Sequence, residues 1–116
     1  MPYIKQEQRD LLTPPLLELL RVINRLASEQ AADEVSKYHL ETSSEADRMT
    51  AAAGIFNYCC TTLAVNLMGE PRYWKIALLT GVLNNVAQEF YDRVARPYED
   101  GACAKNGDVY TPGMGS

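Results

Sequence analysis

The sequence has 116 residues, 47 % hydrophobic and 22 % charged, the make-up of one globular domain that can bury a core without disulfide or metal staples. Lys and Arg number 11 against 15 Asp and Glu, giving a formal net charge of −4, which argues against a nucleic-acid partner. Cys59, Cys60 and Cys103 form no CxxC pair and no even disulfide set, and His39 is the single histidine; no metal or other cofactor is expected, and a reducing cytoplasm is the expected location.

In chain order, Pro2-Tyr3-Ile4 offers apolar side chains with nothing local to pack on, and Gln6 to Leu12 suits a short helical turn. A first helix is expected over about 14–30, opening at Thr13-Pro14-Pro15, where threonine caps free amides and proline suits the first turn. Leu16, Leu19, Leu20, Ile23, Leu26 and Ala27 recur at three- and four-residue steps and give it one core-facing stripe. Residues 30–47 are acidic and poorly periodic, compatible with the helix running on through Tyr38. Thr42-Ser43-Ser44-Glu45 then has the spacing of a capping box, so a second helix is expected over about 44–68.

Between Arg48 and Glu70 that second helix carries no charge: MTAAAGIFNYCCTTLAVNLMG. One side holds Met49, Ala52, Ala53, Phe56, Cys59, Cys60, Leu63 and Leu67, and the other Ala51, Gly54, Ile55, Tyr58, Thr61, Thr62 and Val65. Length alone would permit a membrane span, but the threonines, asparagines and modest hydrophobicity weigh against one, and no membrane partner is expected. A helix buried on both sides is the expectation. In a three-helix chain the second side falls to another subunit, which makes Ala51, Gly54, Ile55, Tyr58, Thr62 and Val65 candidate homo-oligomer contacts.

Gly69-Glu70-Pro71 stops the second helix. A third is expected over about 72–96, with Ile76, Leu79, Thr80, Leu83, Val86, Ala87, Phe90 and Val94 as its core stripe. Trp74 and Leu78 lie on its other side and join the candidate interface. Pro97 should end the helix, because proline disfavours helical geometry in the residue before it. Beyond it, residues 98–110 are expected to dock on the helices through Tyr98, Val109 and Tyr110, and 111–116 to fray. The expected fold is therefore an all-α, three-helix bundle-like single domain over 1–110.

Few groups could carry chemistry. Glu89 and Arg93 have the spacing of an intrahelical ion pair, and under a docked tail Arg93 could clamp a phosphate or carboxylate. Seven tyrosines against two phenylalanines suit stacking on a nucleobase, although a structural role fits most of them. Asn57 beside Tyr58 must satisfy an amide in a dry place, and Asn106-Gly107-Asp108 is turn chemistry. No nucleophile has a visible base, and no phosphate-binding or dinucleotide fingerprint is present, so catalysis is not expected.

Several of these pieces form a set: Pro2-Tyr3-Ile4, Gly54-Ile55-Phe56-Asn57-Tyr58, Gly81-Val82-Leu83, Glu89 to Glu99, and Asn106 to Tyr110. In that combination the chain resembles a small helical protein family of bacteria, archaea and their phages. It departs in the longer connection over 30–47 and in Asp92, where a basic residue is expected. The resemblance implies a compact helical protein whose two ends matter, and it carries no activity with it.

The functional expectation is a non-enzymatic, homo-oligomeric, phage-encoded binding protein that sequesters a small anionic nucleotide-like signal between subunits. Its candidate ligand groups are Asn57, Tyr58, Glu89, Arg93, Tyr98, Asn106, Asp108 and Tyr110. The alternatives are a helical adaptor or structural protein without a small ligand and, third, an enzyme acting on nucleotides.

Overall fold

The computed structural model describes residues 4–37 and 44–107, and among these every regular element is helical. α1 spans Gln6–Lys37, α2 Glu45–Met68, α3 Tyr73–Phe90 and α4 Arg96–Asn106, and a π-helical turn over Tyr91–Ala95 joins α3 to α4. The protein is thus all-α, built of three helical rods. Its residues divide into two compact units, one ending at Asn66 and one beginning at Leu67.

In the first unit α1 begins eight residues before the expected start. The Gln8 side chain reaches back so that Lys5 N–H donates to its Oε1 at 3.0 Å, and Arg9 N–H donates to the Lys5 carbonyl, which sets the first turn at Gln6. Pro14 and Pro15 consequently lie inside the helix. Their rings suit helical φ, but they cannot donate to the carbonyls of Asp10 and Leu11 four residues back. Thr13 is no cap either: its hydroxyl donates backwards to the Arg9 carbonyl at 2.7 Å.

Burial on α1 is narrow. Ile23, Ala27 and Ala31, one ridge at four-residue spacing, are 7 %, 3 % and 1 % exposed. Leu19, Val22 and Val35 are half-buried beside them. Leu16, Leu17, Leu20 and Leu26, expected to face or flank the core, are exposed. The ridge runs instead into the acidic stretch after Gln30, because α2 meets the second half of α1: Asn24, Ala27 and Ser28 share a groove with Glu45, Arg48, Met49 and Ala52.

Ser44 starts α2. Asp47 N–H donates to Ser44 Oγ at 3.1 Å, and Ser44 N–H donates to Asp47 Oδ2 at 2.9 Å, a reciprocal capping box two residues beyond the expected one. The Asp47 carboxyl is held below its ordinary pKa first by the bond from the Ser44 backbone N–H and then by the Ser44 side chain. The expected cap Thr42 and the adjoining Tyr38 and His39 lie outside the described residues. No α2 side chain is fully buried; Ala51, Ala52, Ile55, Cys59 and Thr62 are half-buried, while Met49, Phe56 and Leu63 are exposed. The covered side is therefore rotated from the expected one. By length and composition α2 could cross a bilayer, a test that an apolar helix packing on protein also passes.

In the second unit Gly69, at φ +65°, takes the left-handed conformation that stops α2. Lys75 Nζ then donates to the carbonyls of Met68 and Glu70 at 3.2 and 3.1 Å, satisfying acceptors that the helix end leaves open. α3 follows with no buried residue. Ile76, Leu83, Val86 and Phe90, the stripe expected to face a core, are exposed, and so are Trp74 and Leu78 on the other side.

Candidate functional site

Pro97 does not end the third rod. Arg96, before it, keeps helical angles of −63° and −49° and donates its N–H to the Tyr91 carbonyl five residues back. A proline ring inside a helix collides with the carbonyl four residues earlier, here that of Arg93. Widening the preceding turn to the i→i+5 pattern relieves that collision, so α4 continues to Asn106. Residues 98–106 are helix where a folded-back strap was expected. Gly107, at φ +88°, closes the helix and donates its N–H to the Cys103 carbonyl at 2.8 Å.

Around the π turn the polar groups are paired. Tyr91 donates its hydroxyl to Glu99 Oε2 at 2.7 Å, and the Arg96 guanidinium stands 5.9 Å from the Tyr91 ring centre. Asp92 Oδ1 accepts from Gln88 Nε2 and from Arg96 Nη2, both at 3.0 Å. Glu99 holds the Tyr91 hydroxyl above its usual pKa, first through the hydrogen bond and then through its charge. Arg93 Nε lies 3.7 Å from Glu89 Oε2 with both side chains largely exposed, the ordinary intrahelical pair. An anion approaching Arg93 would compete with that carboxylate.

Of the candidate ligand residues, the structure brings Tyr98 and Asn106 together. With Pro97, Gly101, Ala102 and Lys105 they line a surface notch of about 380 Å³ on one side of α4. Glu89 and Arg93 sit on the same rod ahead of the π turn. Asn57 and Tyr58 stand exposed on α2 in the single chain. Asp108 and Tyr110 lie outside the described residues.

The candidate interface residues also separate. Ala51, Ile55 and Thr62 are half-buried within the first unit, whereas Gly54, Tyr58 and Val65 are exposed. Trp74 and Leu78 line an apolar hollow of about 300 Å³ with Leu67, Met68, Lys75 and Leu79. Lys105, Gly101 and Ala102 were not singled out from sequence, although Tyr98, Gly101, Ala102, Lys105 and Asn106 have helical spacing. Glycine disfavours helix, so Gly101 in the middle of the stretch hides that face. Among the described residues no three His, Cys, Asp or Glu side chains are grouped to hold a metal ion.

An all-helical chain with apolar rods and one polar, aromatic end is the class these features define. A family model, Domain of unknown function (DUF6899), matches residues 1–109, and the chain belongs to that family. No curated protein matches the chain, and no solved structure does.

Proposed function

We propose that the protein is a non-enzymatic, homo-oligomeric binding protein whose assembled form sequesters a small anionic nucleotide-like molecule. The observation that supports assembly is the state of α3: eighteen residues without a buried side chain, among them Trp74, Ile76, Leu78, Leu83, Val86 and Phe90, each 46 % exposed or more. Contiguous apolar surface of this kind is uncommon on soluble monomers and marks contact with another molecule. From Ile76 to Gln88 the helix carries no charge, so a second copy can meet it without burying an unpaired ion.

The sequestration reading draws on the exposed tyrosines with cations nearby, Tyr98 with Lys105 above all. The resemblance to proteins of phages and their hosts adds the setting in which withdrawing a signal molecule would counter a defence. The same exposed α3 supports an adaptor that assembles without a small ligand.

Native mass spectrometry of the purified protein tests both readings. Oligomers carrying a ligand that is recovered intact after heat denaturation are expected. A clean monomer overturns assembly. Oligomers that shift with no member of a nucleotide panel favour the adaptor, and recovery of a chemically changed product favours an enzyme.

A further inference from the structure

We infer that the notch on α4 is a binding site for a planar aromatic base bearing phosphate, with Tyr98 as the stacking face and Lys105 as the phosphate partner. The inference rests on the sequestration reading and gives it a place. Pro97, Tyr98, Gly101, Ala102, Lys105 and Asn106 fall on one side of α4 at steps of three and four residues. Gly101 and Ala102 lie between the larger groups and form a low floor; nothing stands within 4 Å of where a Gly101 side chain would begin.

Tyr98, 79 % exposed, stands at one end of that floor, and Lys105 and Asn106 at the other. Seven residues of helix separate Tyr98 from Lys105, about 10.5 Å at 1.5 Å per residue, within which flexible side chains can close on a nucleotide. The notch is an open surface feature of about 380 Å³, along which a base can lie against the helix face.

Charge separates across the helix. Glu99 and Asp100 fall on the side away from the notch, and Glu99 is held there by the Tyr91 hydroxyl at 2.7 Å. Lys105 is therefore the charged side chain among the notch residues. Among the described residues no carboxylate forms an ion pair with the Lys105 ammonium, which suits it to a phosphate; the neighbouring Asn106 amide can donate to a phosphate or to a base edge, and the open tyrosine ring offers stacking.

The test uses the full-length protein with ADP-ribose and cyclic di-AMP as probes in calorimetric titration. Wild type is expected to bind at least one probe, with affinity falling as salt rises. Lys105→Glu should weaken that binding at least tenfold, and Gly101→Leu, which fills the floor and favours helix, should abolish it with helical content and oligomer size unchanged. Tyr98→Leu should weaken it while Tyr98→Trp retains it. Wild-type binding that survives Lys105→Glu and Gly101→Leu undiminished overturns the notch and leaves sequestration standing. Wild type that binds neither probe overturns both.

Discussion

The Tyr91 hydroxyl and the Glu99 carboxylate, eight residues apart and on either side of Pro97, meet at 2.7 Å. An uninterrupted helix brings residues three or four apart into contact. Here a long phenol spans two turns of the rod and braces α4 beyond the point where proline removes a main-chain hydrogen bond. Tyr91→Phe is therefore expected to speed amide exchange over residues 96–106 while α1 and α2 stay unchanged. Hydrogen-exchange mass spectrometry reads this directly, and equal protection in both proteins would deny the brace.

The same bond has a pH signature. The Tyr91 pKa is raised above 10.0 in the folded protein because its proton is shared with a carboxylate. A group raised on folding contributes stability that is complete below its unfolded value and disappears as pH climbs through the folded one. The rod should accordingly hold together to beyond pH 10 and loosen above it. Absorbance titration of tyrosinate should show one late step, missing from Tyr91→Phe.

At the start of α2 the sign reverses. Asp47 is lowered by the Ser44 backbone and side-chain hydrogen bonds, so its contribution is present above the ordinary aspartate range and is lost as pH falls through the folded value. Ser44→Ala removes one arm of the box and should destabilise the helix by about 1 kcal/mol. Thermal melts at neutral pH should show that loss, and most of it should persist in acid, because Ser44 Oγ accepts from the Asp47 backbone N–H, while the bond from the Ser44 N–H to the Asp47 carboxylate weakens in both proteins as that carboxylate takes up its proton.

Pro14 and Pro15 are the weak link of α1. Replacing both with alanine restores donors to the Asp10 and Leu11 carbonyls and removes two ring clashes; an interior proline costs about 3 kcal/mol relative to alanine. Pro14→Ala with Pro15→Ala should raise helical circular dichroism and the melting temperature together. An unchanged or lower melting temperature would mean that the prolines are accommodated without loss.

Gly69 is the opposite case, since its φ of +65° suits glycine and strains any side chain. Gly69→Ala should cost about 1 kcal/mol, read as a lower denaturant midpoint. The space for the methyl group is open, so the loss isolates backbone strain.

Much of this was legible in the sequence. An all-helical chain, a stop at Gly69, a helix starting beside Ser44 and the Glu89–Arg93 pair all follow from local spacing and turn chemistry, and the structure has each of them. The three proline positions misled for one reason: a rule about probable helix ends ignores what a neighbouring turn can do. Gln8 launched α1 early enough to run through Pro14 and Pro15, and a widened turn carried α3 past Pro97. Burial was harder still. Periodicity gives the apolar side of a helix but not which length of it a neighbour covers, so α1 is buried at Ala27 and Ala31 rather than at Leu16 and Leu20. Of the site, Tyr98 and Asn106 were visible as residue types, while their common face with Lys105 existed only once residues 96–106 were known to be helical.

A turn closed over five residues instead of four takes up one extra residue, and one residue is about 100° of helical rotation. The Tyr98 face therefore keeps, relative to the apolar stripe of α3, the bearing that a plain α-helix one residue shorter between 91 and 95 would give it. Deleting one of those residues would let the turn close over four and leave the end of the rod facing the same way, whereas tightening the turn without a deletion would swing it about a quarter turn. The widened turn thus absorbs chain length, so relatives that differ by one residue there would present the same side chains in the same direction.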